Sequence, residues 1–150
     1  MLKHHIKNLK IAQNEQIQKA ADILTQELSK ILENHITRKE EILVVGLGNI
    51  YVTPDSLGPK VINELDITRH ILKYMPEVLD ENTRNVCAIT PGVLGTTGME
   101  TLEIIKGIVE NVKPKLVIVI DSLASRSIER ISSSLQISDD QIGRASCRER

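Results

Sequence analysis

Two short β-branched runs, Ile42-Leu43-Val44-Val45 and Leu116-Val117-Ile118-Val119-Ile120, each stop abruptly at a loop that holds an acid. The first passes through Gly46-Leu47-Gly48-Asn49 to Thr53-Pro54-Asp55-Ser56-Leu57-Gly58-Pro59, and the second ends in Asp121-Ser122-Leu123-Ala124. Continuous apolar runs of this length suit fully buried strands, and an open α/β sheet presents its reactive groups at the carboxyl ends of such strands. The chain is therefore expected to form a three-layer αβα sandwich with a mostly parallel sheet. Acids at two strand ends point to acid–base chemistry.

The rest of the chain supplies helices to cover such a sheet. Ile17, Ala20, Ala21, Leu24, Leu28, Ile31 and Leu32 follow the helical period, which predicts an amphipathic helix over roughly 11–36 that packs on the sheet. Ile42 to Val45 is the first buried strand, and Gly46-Leu47-Gly48 is a turn where the backbone bends sharply or comes close to another group. Thr53 precedes a proline and is biased away from helix, which holds Asp55 in a loop. A helix begins near Gly58-Pro59, with proline in the first turn where its missing N–H costs nothing. Asp55 then lies just before a helix amino end, whose dipole favours a negative charge.

The stretch from Arg69 to Asp80, with a turn at Pro76, reads equally as strand or helix. Beyond it the pattern predicts a strand at Val86 to Thr90, a loop from Pro91 to Thr96, and a helix opened by a capping box Thr97-Gly98-Met99-Glu100. That helix is expected to bury Leu102, Ile105, Ile108, Val109 and Val112, to end near Pro114 and to feed a strand from Lys115 to Ile120. Together these form a right-handed βαβ unit. After Asp121 the serines suggest a loop, then a helical turn through Ile128 to Ile131, then a short strand at Leu135 to Ile137.

Composition excludes several functions. A chain of 150 residues permits one domain, and 19 basic against 20 acidic residues leave no basic field for nucleic acid or a membrane surface. No run approaches the roughly 20 apolar residues of a membrane helix, and the start Met-Leu-Lys-His-His-Ile lacks a signal-peptide core, so a cytosolic protein is expected. Two cysteines, Cys87 and Cys147, make neither a disulfide framework nor a zinc site, and Cys87 reads as a small apolar residue within a strand. The absence of Phe and Trp disfavours the stacking platforms of single-strand nucleic-acid binders.

The candidate residues follow from this layout. Asp55 and Asp121 meet only if their two strands are neighbours in the sheet. On the residues alone, an Asp after a strand reads as a turn former or helix cap as readily as a catalytic acid. Gly46-Leu47-Gly48-Asn49 lacks the third glycine of a dinucleotide-binding turn, which leaves a structural turn or a backbone contribution to a substrate cleft through Gly48 and Asn49. Gly92-Val93-Leu94-Gly95-Thr96-Thr97-Gly98 lies at another strand end. There Gly92, Gly95 and Thr96 could line the same cleft, or serve as a flexible connector. His4, His5 and His35 lie far from these loops, and His70 reads as solvent-facing or capping. Ser122, Ser125 and Ser127 lack the nucleophile-elbow pattern of a serine hydrolase.

Taken in order, GLGN with VTPDSLGP, then ITRHI, ITPGVLGTTGMET, VIVIDSLASRSIERI and LQISD resemble the germination (spore) protease family of spore-forming Firmicutes from Ile42 to Asp139. The resemblance implies an aspartic-type endopeptidase that degrades small acid-soluble spore proteins in the spore core, with Asp55 and Asp121 as its two catalytic acids. Two carboxylates that share a pocket cannot both ionise freely, so one is expected to act as acid and the other as base. The resemblance further implies activation by removal of an amino-terminal segment and a homotetramer. No cofactor is expected, and the lack of a Cys or His ligand set beside the acids predicts no tightly held zinc. The fold is also similar to that of nickel-hydrogenase maturation peptidases, which stand as the alternative enzyme. A nucleotide-binding module using the glycine turn is the alternative of another class. Residues 1–140 are expected to be an internal fragment of one catalytic domain, since the amino end begins partway into the family pattern and the carboxyl end departs from it. Gln141-Ile142-Gly143-Arg144-Ala145-Ser146-Cys147-Arg148-Glu149-Arg150 reads like a translated sequencing-library adapter.

Overall fold

A computed structural model describes residues 6–7, 14–122 and 134–138. The chain divides into two compact units, one made of Met1–Asn34 with Leu123–Arg150 and the other of His35–Ser122. In the first unit, strand β1 (Ile6–Lys7) is followed by helix α1 (Asn14–His35). Ala20, Leu24, Leu28, Ile31 and Leu32 of α1 are half-buried at helical spacing, whereas Ile17 and Ala21 are exposed. The predicted amphipathic helix is therefore present over Asn14–His35, and its expected start at residue 11 lies outside the described residues.

The second unit is built on β2 (Glu41–Gly46), where consecutive residues rather than alternate ones are buried. Side chains of a strand alternate between faces, so burial of Ile42, Leu43, Val44 and Val45 in succession means that both faces of β2 are covered. After β2 the chain makes one 3₁₀ turn at Thr53–Asp55, then α2 (Leu57–Asn63), α3 (Arg69–Tyr74) and a second 3₁₀ turn at Pro76–Val78. The ambiguous stretch is thus helical in two short pieces. Strand β3 (Asn85–Ile89), a four-residue helix α4 (Leu94–Thr97), α5 (Thr101–Val112) and β4 (Leu116–Ile120) complete this unit. In the first unit, β5 (Ser134–Leu135) pairs antiparallel with β1, one residue earlier than the predicted start at Leu135. The predicted turn at Ile128 to Ile131 and the segment 141–150 lie outside the described residues.

The three strands of the second unit are parallel in the order β3-β2-β4, with Val44 opposite both Ala88 and Ile118. This is an open α/β sheet flanked by helices, the expected sandwich class. The chain leaves β2 toward one side to form β3, then crosses back past β2 to form β4. Right-handed crossovers that run in opposite directions lie on opposite faces of a sheet. They part between β2 and β4, and the carboxyl ends of those strands mark the switch point where open α/β sheets bind ligands.

Thr68 closes part of the outer edge of β3. Its N–H donates to Val86 O at 3.1 Å, its hydroxyl donates to Arg84 O, and its Oγ1 accepts from Val86 N at 2.9 Å. A loop residue there does the work of a neighbouring strand.

Two expectations need correction. The capping box belongs to Glu100 and Glu103, not to Thr97 and Glu100: Glu103 Oε2 accepts from Glu100 N at 3.1 Å, and α5 starts at Thr101. Gly98, in the left-handed region at φ 69°, ends α4 and keeps the two helices from joining. Leu102 is exposed rather than buried: it lies in the first turn of α5, at the border of the half-buried stripe of Ile105, Ile108, Val109 and Val112.

Candidate active site

The turn after β2 is shaped by three glycines packed against main chain. A Cβ at Gly46 would lie 2.5 Å from Gly58 O, and one at Gly58 would lie 2.3 Å from Leu47 O and 2.7 Å from Ile120 O. The amino end of α2 therefore presses directly onto the carboxyl ends of β2 and β4, a contact that only bare α-carbons allow. Gly48 has φ +115°, and a Cβ there would stand 2.0 Å from Asp55 O. These glycines are filled by the protein's own backbone, which favours the structural-turn reading over a phosphate cradle.

This packing carries Asp55 to the switch point. Leu47 N donates to Ile120 O at 2.8 Å, so the turn is tied to the residue immediately before Asp121. From the same turn, the N–H of Asn49 is shared between Asp55 O at 3.0 Å and Asp55 Oδ2 at 2.8 Å. Beneath the acid, Ser56 is 2% exposed, and its Oγ donates to Thr53 O at 3.0 Å. Asp55 is half-buried, whereas Asp121 is exposed and its Oδ1 accepts from Ser122 N at 2.7 Å. The condition set by the sequence is met: β2 and β4 are neighbours, and both acids follow their carboxyl ends.

The third loop at this end follows β3. Gly92 turns at φ +78°, while Gly95 and Thr96 sit exposed on α4. Thr96 N and Oγ1 both donate to Val93 O at 2.9 Å, and Gly98 N donates to Leu94 O at 2.8 Å, so much of this loop's hydrogen-bonding capacity is used internally. Since β3 is parallel to β2 and flanks it on the side away from β4, these residues share the sheet end with the acids.

Other titratable groups lie elsewhere. His70 is exposed near the start of α3. Arg69 pairs with Glu41 at the amino end of β2, and the Cys87 thiol donates to the same carboxylate at 3.3 Å. Burial first, then the hydrogen bond to Glu41, pushes the thiol of Cys87 up to about 11. Among the described residues no group of three or more His, Cys, Asp or Glu side chains is placed to hold a metal ion. Among them, too, no helix is long and apolar enough to cross a membrane.

Sequence reasoning placed Asp55 and Asp121 after the two strands that prove to be neighbours, and it anticipated the glycine turn. It missed Ser56 and the partnership of Gly46 with Gly58. The available signal was the pair of glycines in successive elements, one ending a strand and one opening a helix.

The fold and the site define an open α/β protein that presents two carboxylates at its switch point. The family model described as germination protease matches residues 2–148, and the chain belongs to that family. The germination protease of Clostridium acetobutylicum is 52% identical over 130 residues, which are 86% of this chain and 40% of that protein. That of a Geobacillus species is 55% identical over 126 residues, 83% of this chain and 34% of the relative. That of Bacillus subtilis is 47% identical over 130 residues, 86% of this chain and 35% of the relative. The chain thus spans about two fifths or less of the length of these relatives, and neither alternative class named from the sequence is the one matched.

Proposed function

We propose that this chain carries the acid site of an endopeptidase that begins the degradation of small acid-soluble spore proteins during germination, in the spore core. The observation that carries the reading is the placement of Asp55 and Asp121 at the carboxyl ends of the neighbouring parallel strands β2 and β4. Family membership supplies the reaction class. One carboxylate takes a proton from water as its oxygen bonds to the scissile carbonyl carbon. The other gives a proton to the departing amide nitrogen as the C–N bond breaks. The loops after β2 and β3 supply the wall of the cleft, through Gly48, Asn49, Gly92, Gly95 and Thr96. The whole protein assembles as a homotetramer and is released from an inactive precursor.

The test is cleavage of a small acid-soluble spore protein by the full-length protease. Asp55→Asn and Asp121→Asn should each abolish cleavage, with circular dichroism and unfolding midpoint unchanged. Near-normal cleavage by either variant removes that residue from the reaction.

A further inference from the structure

Asp55 is held through a neighbouring residue whose own geometry is set locally. The Asn49 N–H donates to Asp55 Oδ2, and the Asn49 side-chain Oδ1 accepts from Tyr51 N at 3.0 Å. Val52 N donates back to Asn49 O at 3.1 Å, and Asp55 N donates to Val52 O at 2.8 Å. An Asn side chain that closes onto the amide two residues ahead forms an Asx-turn, which stiffens the backbone without any distant partner. The second carboxylate oxygen, Asp55 Oδ1, lies 3.1 Å from the point a Gly48 Cβ would occupy. A side chain at position 48 would crowd that oxygen and collide with the Asp55 carbonyl oxygen, 2.0 Å away.

We propose that Asn49 is a positioning residue for Asp55. Its Asx-turn aims the N–H that ties down Oδ2, which leaves Oδ1 to meet the water or the scissile amide. This rests on the reading of Asp55 as a catalytic acid. It assigns the Asn49 side chain a task of its own, through the bond that its oxygen accepts from Tyr51 N. Small displacements of a catalytic group are costly in rate: misplacement by about 1 Å costs on the order of a hundredfold.

Steady-state cleavage of a small acid-soluble spore protein by the full-length protease tests this, with amide hydrogen exchange at Tyr51 measured alongside. Asn49→Ala should lower kcat about tenfold or more, leave KM within about twofold, and expose the Tyr51 amide to exchange. Asn49→Ser keeps an oxygen that can accept the same N–H and should recover both kcat and protection in part. Gly107→Ala, in α5, should leave kcat and KM unchanged. Wild-type kcat in Asn49→Ala, or a raised KM with kcat intact, overturns the positioning role while an inactive Asp55→Asn leaves the acid in place. An active Asp55→Asn instead removes the reading beneath it. Should Asn49→Ala fail to fold, Asn49→Ser carries the test alone, and wild-type kcat with an unprotected Tyr51 amide overturns the role.

Discussion

A methyl group at Gly48 has no room, whereas one at Gly107 meets nothing within 4 Å. The two glycines look alike in the sequence and differ wholly in consequence. Gly48→Ala combines a left-handed φ with a clash against the Asp55 carbonyl, and should cost about 2 kcal/mol or more in urea unfolding. Gly107→Ala fills an empty place inside α5 and should stabilise the protein by about 0.5–1 kcal/mol. Equal midpoints for the two variants would contradict this account of the turn. That Gly46 and Gly48 form a turn was legible, because glycines directly after a buried strand have few other uses. The reason for Gly58 was not: its contacts are with the backbone of Leu47 and Ile120, and nothing local in the sequence announces a meeting with residue 120.

At the scale of elements, long apolar patterns were legible and short hydrogen-bonded pieces were not. β2, β3, β4, α1 and α5 appear where hydrophobic periodicity places them, because burial of a whole face decides their conformation. α3 and α4 span six and four residues, too few to display a period, and their hydrogen bonds rather than an apolar stripe define them. The cap of α5 was misplaced because the Thr-x-x-Glu pattern ignores the left-handed Gly98 inside it. Thr68 is a further case, since its role depends on lying beside β3. Thr68→Val keeps the shape and removes the hydroxyl, leaving the Val86 amide without its acceptor. It should cost about 1–3 kcal/mol and speed exchange at the Val86 amide. Unchanged exchange there would show that the hydroxyl does not hold the edge.

At the scale of the whole molecule, the strand order β3-β2-β4 puts the loops that hold Asp55 and Asp121 after neighbouring strands, which the sequence could state only as a condition. A pH dependence follows from Cys87. Its thiol is raised from 9.0 to about 11, so between those values the unfolded chain has given up a proton that the folded one keeps. Stability is therefore full below pH 9 and falls as pH rises toward 11, and Cys87→Ser should flatten that slope in unfolding measured across the range. An identical slope would mean that other groups set it. The second unit also leaves Ile50, Tyr51, Val52, Leu57, Leu94 and Met99 exposed. The 150-residue chain alone should therefore bind a hydrophobic dye and self-associate in size-exclusion chromatography. A monodisperse, dye-free chain would show these side chains to be ordinary surface. Thr68 finally gives the sheet a guarded side. A strand arriving beside the first half of β3 meets a side-chain hydroxyl already joined to the groups it needs, so that stretch of the edge is closed to a second chain.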